Sequence, residues 1–136
     1  MAYVNLKCNV SVPTLTEETK TGLVFKVRIF AKDLTPSAHD VVGYEGLVYA
    51  SEAAEAASAE PLRLTGLHQP LSNNPRGVKY GFGGQILSTD LTTYEAEIVS
   101  NKVELTAAAQ TEVVGIIINN LAAALGVQAS DFEVLP

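Results

Sequence analysis

Val4-Asn5-Leu6-Lys7-Cys8-Asn9-Val10-Ser11-Val12 alternates apolar and polar residues without a break. A period of two belongs to a β-strand, whose successive side chains point to opposite faces. The stretch therefore reads as a strand with one buried face and one wet face. Pro13 stops it, and Thr14 to Gly22 is polar and turn-forming. The period returns in Leu23, Phe25, Val27, Ile29 and Ala31, interleaved with Val24, Lys26, Arg28, Phe30 and Lys32. Two such neighbours pair most simply as an antiparallel hairpin. The apolar set then faces a core, and the other face carries Asn5, Lys7, Asn9, Lys26, Arg28, Phe30 and Lys32.

Beyond this hairpin, Leu34 to Asp40 reads as a loop broken at Thr35-Pro36-Ser37. Val41 to Tyr49 reads as a strand in which Gly43 or Gly46 marks a bulge or a close backbone approach. Ser51 to Glu60 is rich in Ala and Glu; Ser51 suits a helix cap and Pro61 a stop, so a short exposed helix and a loop are both open. Leu62 to Leu67 suggests a short strand, and His68 to Gly77 a loop. Val78, Tyr80, Phe82, Gly84 and Ile86 share one strand face. Leu91 to Ser100 forms another strand, with Ser88-Thr89-Asp90 as the turn between them.

Thr106 to Leu125 is the helix. Thr106 is an N-cap residue type and Gly126 a C-terminal stop. Val113, Ile117, Leu121 and Leu125 recur every four positions, and Val114 and Ile118 widen the stripe. This stripe faces a sheet or another copy of the chain. Val113-Val114-Gly115-Ile116-Ile117-Ile118 has weak helix propensity, which leaves a strand at 112–118 as the alternative. The Ala-rich flanks, the cap and the spacing favour the helix. Phe132 to Leu135 offers a last short strand. The expected fold is α+β in a single domain, 1–136: an antiparallel sheet of about six strands, with one long C-terminal helix (106–125) packed on or beside it.

Bulk composition limits the function classes. A chain of 136 residues buries roughly two thirds of the surface of its unfolded form, enough for a core. One cysteine, Cys8, excludes an internal disulfide scaffold. No run of about 18 apolar residues suggests a membrane span, and the alternating start lacks the pattern of a signal peptide. The net charge of −6 opposes non-specific nucleic-acid binding by the whole molecule. The charge is uneven: residues 1–35 hold five basic and three acidic residues, against four and twelve in residues 36–136.

No residue set identifies a reaction. Gly81-Phe82-Gly83-Gly84 lacks the third glycine of a dinucleotide loop and the Gly-Lys-Ser/Thr ending of a nucleoside-triphosphate loop. It reads as room on a crowded sheet. His39 and His68 stand in no metal spacing, so neither a metal nor a cofactor is expected. Cys8 lies on the apolar side of its strand and reads as a buried, inert thiol. Glu95 and Glu97 share a face about 7 Å apart, most simply a solvated or partner-facing acidic surface. The basic face of the first hairpin is the best functional candidate: cations for phosphates, Phe30 for a stacked base, or a meeting place for an acidic protein surface.

A sheet with few charges, rich in Thr, Val, Ala and Gly, plus one apolar helix, resembles bacteriophage virion structural proteins. Asn5-Leu6-Lys7-Cys8-Asn9-Val10-Ser11-Val12 followed by Phe25-Lys26-Val27-Arg28-Ile29 is similar to the hairpin of small RNA-phage coat proteins whose outer face binds RNA. Tyr94 to Val99 leading into 106–125 is similar to that family's last strand and the helix that clasps the dimer partner. The resemblance implies a non-enzymatic, self-assembling protein located in the virion, as capsid, cement, neck or tail component. Its partners are then copies of itself and other virion proteins. Two alternatives stand beside it: an RNA-binding coat using the basic face, and a small-molecule-binding domain or enzyme with its site among Tyr44, Tyr80, Phe82 and the histidines.

Overall fold

The computed structural model describes residues 2–13, 19–31, 41–59, 61–62, 64, 69–71, 79–87, 90–92 and 95–135. In chain order the elements are β1 (Ala2–Cys8), β2 (Val12–Pro13), β3 (Thr19–Lys20), β4 (Leu23–Ala31), β5 (Val41–Tyr49), α1 (Glu52–Ala56), β6 (Gln69–Leu71), β7 (Lys79–Leu87), β8 (Ala96–Val99), β9 (Lys102–Leu105), α2 (Ala107–Leu125) and β10 (Phe132–Val134). Six strands form one antiparallel sheet in the order β10–β1–β4–β5–β7–β6. β2–β3 and β8–β9 are separate two-stranded ribbons. The protein is α+β, with the long helix near the C-terminus.

β1 and β4 pair as the alternation requires, with Leu6 opposite Phe25 and Asn5 opposite Lys26. Their even–odd register puts Leu6, Cys8, Phe25 and Val27 on the buried face, where α2 supplies Val113, Ile117 and Leu121. Phe25 is the hub. Its ring lies 5.9 Å from Phe82 and 5.6 Å, edge-on, from Phe132. Each such fully buried side chain contributes roughly 1.5–3 kcal/mol of apolar burial.

Two glycines shape this face. Tyr44 stands directly opposite Gly84, and Phe82 opposite Gly46. A Cβ on Gly84 would meet the Tyr44 hydroxyl at 2.6 Å; one on Gly46 would meet the Lys26 carbonyl at 2.6 Å and the Phe82 ring. Each ring thus lies across the bare backbone of the neighbouring strand. Tyr44 ends by accepting a hydrogen bond from Asn120 Nδ2 of α2 at 3.2 Å, tying sheet to helix.

α2 runs as the spacing predicts and is helical through 112–118. Thr106 Oγ1 accepts from the Ala109 N–H, and Gly126 closes the helix at φ 71°. Glu112, the helix's sole charged residue, accepts from both the N–H (2.6 Å) and the hydroxyl of Thr92.

Three expectations need correction. The first strand ends at Cys8 rather than Val12: Asn9 donates its N–H to Asp131, and Val12 turns away to pair with Lys20 in the β2–β3 ribbon. Of the strand expected at 91–100, the described residues form only β8, and residues 93–94 lie outside the described residues. Ser100 and Asn101, at φ 52° and 66°, reverse the chain into β9, which was not expected. Positive φ at both central residues is the signature of a two-residue hairpin turn, and Asn tolerates it well. The loop 68–77 contains β6, whose Pro70 is tolerated because β6 is the sheet's outermost strand and needs no second N–H partner. Of the strand expected at 62–67, Leu62 and Leu64 each make an isolated bridge, Leu62 to Val48; residues 63 and 65–67 lie outside the described residues.

Candidate functional site

The face of the sheet opposite the core is a grid set by register. Its rows read Lys7–Val24–Tyr49, Asn5–Lys26–Leu47 and Tyr3–Arg28–Glu45 across β1, β4 and β5. The expected basic face is therefore assembled at Asn5, Lys7, Lys26 and Arg28. Asn9 lies beyond the end of β1 and is exposed. The Phe30 side chain and all of Lys32 lie outside the described residues.

This face is not left basic. The chain leaves β5 at Tyr49, forms α1 over β4 and β5, and returns to pair Leu62 with Val48. Ser51 caps α1 by accepting from the Ala54 N–H at 3.1 Å. The helix delivers Glu52 to Lys7 at 3.5 Å and Glu55 to Lys26 at 3.0 Å. Within the sheet, Glu45 meets Arg28 at 3.5 Å. Three cations thus face three carboxylates. Val24 and Tyr49, on this same face, are buried. The Glu55 carboxylate holds the Lys26 ammonium above the ordinary lysine value of 10.5.

Sequence reading missed the three glutamates. Glu45 was recoverable from β5 pairing in register with β4. Glu52 and Glu55 sit three apart on a capped helix, but nothing local says where that helix lands. Tyr3 was missed as well: Lys26 Nζ lies 5.2 Å over its ring, which is 58% exposed. Tyr3, Lys26, Arg28, Glu45, Leu47 and Tyr49 line a shallow open hollow of about 230 Å³.

The helix stripe divides. Val113, Ile117 and Leu121 are sealed in the chain's own core, whereas Val114, Ile118 and Leu125 are half-buried at its margin. Val114 and Ile118, with Val4, Thr111, Gly115 and Val134, line an open groove of about 580 Å³ between α2 and the β1–β10 edge. No charged side chain lines it. By length and composition α2 is also apolar enough to cross a membrane. Tyr44 and Phe82, considered for a ligand site, are core residues; His39, His68 and the Tyr80 side chain lie outside the described residues.

Cys8 is buried, with Sγ 3.7 Å from the Val10 carbonyl. Burial pushes its thiol above 9.0. Glu97 stands opposite Glu104 on the β8–β9 ribbon, and Glu95 caps the ribbon's junction with α2 by accepting from Thr106. Among the described residues no group of His, Cys, Asp and Glu is placed to hold a metal ion. No protein-family model, curated protein or solved structure matches the chain.

Proposed function

We propose that this chain is a non-enzymatic structural protein that builds symmetric homo-oligomers, as a capsid, cement, neck or tail component of a phage virion. One observation carries the assembly reading: α2 has a single charged residue in 19, yet only Ala109, Val113, Ile117, Leu121 and Ala122 are buried. Solvated helices carry a charged outer face. An apolar helix with an open apolar flank is the composition of an interface. The virion setting rests on the resemblance of the first hairpin and of the strand leading into the long helix.

The nucleic-acid reading meets an electrostatic obstacle. Phosphates would have to displace Glu45, Glu52 and Glu55 from the cations they neutralise, and counterion release is the main source of such affinity. The test is solution mass by light scattering across a concentration series, with negative-stain images of concentrated protein. Defined multiples of 14.4 kDa and regular particles are expected. A monomer throughout, or a monomer with steeply salt-dependent RNA affinity, would remove the assembly reading.

A further inference from the structure

We infer that the outer edge of β7, at residues 83–87, takes an added strand: an extended segment of another polypeptide, alternately apolar and polar, with a basic side chain opposite Gly83. This surface is separate from the α2 flank on which the assembly reading stands.

The first argument is the bonding pattern of the sheet. Backbone groups of successive strand residues point to opposite sides. Val48 pairs with Phe25 of β4 on one side and accepts from the Leu62 N–H at 2.7 Å on the other. The even-numbered residues of β5 therefore bond towards β7, where Gly46, Tyr44 and Val42 stand opposite Phe82, Gly84 and Ile86. The residues between, Gly83, Gln85 and Leu87, then direct their N–H and C=O groups away from β5. β6 meets β7 at Lys79, Tyr80 and Gly81. Among the described residues no strand pairs with β7 beyond Gly81 on that side, and Gln85 and Leu87 are exposed.

The second argument is that nothing blunts this edge. Charge, proline or short length keeps a sheet edge from pairing with other chains. β6 carries Pro70, and β10 is three residues long and carries Glu133. Gly83-Gly84-Gln85-Ile86-Leu87 has no charge and no proline. Such a row of backbone donors and acceptors is the template that an extended peptide completes.

The third argument fixes the occupant. Gly83 stands in register with Glu45 and places no side chain between it and the edge. A residue opposite Gly83 on an added strand lies two strand spacings from Glu45, about 10 Å. An arginine and a glutamate side chain span that together. Glu45 holds Arg28 at 3.5 Å, with its side chain 44% exposed, and a carboxylate takes more than one donor. The net charge of −6 favours a partner of the same sign as that arginine. On the core side the added strand runs beside the buried Phe82 and Ile86, which calls for apolar residues there. A second copy offering its own residues 83–87 brings no cation to Glu45.

Isothermal titration calorimetry on the full chain tests this with acetyl-Thr-Val-Thr-Val-Arg-Val-amide, whose arginine falls opposite Gly83 in antiparallel pairing. The same peptide with glutamate for arginine should bind more weakly by roughly tenfold or more. The arginine peptide should lose as much when its second threonine is N-methylated, or when the protein is Gln85→Pro. Proline is tolerated on an edge where the N–H faces outward, which circular dichroism and Tm will verify; the N-methylated peptide gives the same reading on unaltered protein. Glu45→Gln should bring the arginine and glutamate peptides within about twofold of each other. No binding of the arginine peptide, binding indifferent to N-methylation, or equal binding of both peptides to wild type overturns the inference. Self-association that Gln85→Pro abolishes also overturns it, because the occupant is then a second copy. A wild type that takes the arginine peptide and stays monomeric overturns the assembly reading alone.

Discussion

At the scale of single residues, the two opposed glycine–aromatic pairs make different demands. Behind Gly46 stands the Lys26 carbonyl, which is fixed in the β4 ladder, as well as the Phe82 ring. The nearest atoms behind Gly84 are the far end of the Tyr44 side chain rather than backbone. Gly46→Ala is therefore expected to destabilise by about 1–3 kcal/mol, as overpacking of a tight core does. Gly84→Ala should cost less and act mainly through the Tyr44–Asn120 hydrogen bond. Urea denaturation of the two variants checks the order; equal effects would show that the carbonyl gives way as easily as the ring. Cys8 offers a second test. Its thiol is buried and pushed towards the neutral form, so native protein near neutral pH should react with a thiol reagent only as fast as it opens. Full modification of native protein on mixing would refute that placement.

At the scale of elements, α2 is secured at three points: the Thr106 cap, the Glu112 clamp on Thr92 and the Asn120 bond to Tyr44. Thr106→Ala should lower stability by about 1 kcal/mol. Ile117→Ala should lower it by about 2–5 kcal/mol through the cavity it leaves. Thermal melts that rank them the other way would mean that packing is not what holds the helix. The helix and the strands β1, β4, β5 and β7 were legible because each runs for seven residues or more with an apolar face at its own period. The β8–β9 ribbon was not, because each arm is four residues long and its turn is Ser100-Asn101 without the usual glycine. β6 hid behind Pro70, which is a breaker everywhere except on an outer strand. Four members of the basic face, Asn5, Lys7, Lys26 and Arg28, were legible from β1 and β4 alone. Its neutralisation was not, since α1 acts on strands that precede it by some 25 to 45 positions and no local pattern encodes that landing.

At the scale of the whole molecule, uneven charge along the chain becomes local balance in space. The acidic remainder folds its Glu45, Glu52 and Glu55 back onto the basic strands. Such exposed pairs contribute little each, about 0.2–1 kcal/mol, and salt screens them. Their pH signature is nonetheless specific. The folded pKa of Lys26 lies above its unfolded value, so its contribution is complete below 10.5 and is lost as pH rises through the folded value. Stability measured by urea midpoint should therefore fall as pH rises above 10.5, and Glu55→Gln should flatten that fall. An unchanged slope in the variant would place the alkaline sensitivity elsewhere.

The pairing of β1 with β10 also sets a timetable. Leu6 waits for Val134, and Phe25 for Phe132, across almost the whole length of the polypeptide. Loop closure over such a span is slow and comes late. A nascent chain on the ribosome thus leaves one side of its central phenylalanine open until Phe132 has emerged, and any cleavage that sheds β10 uncovers that side again.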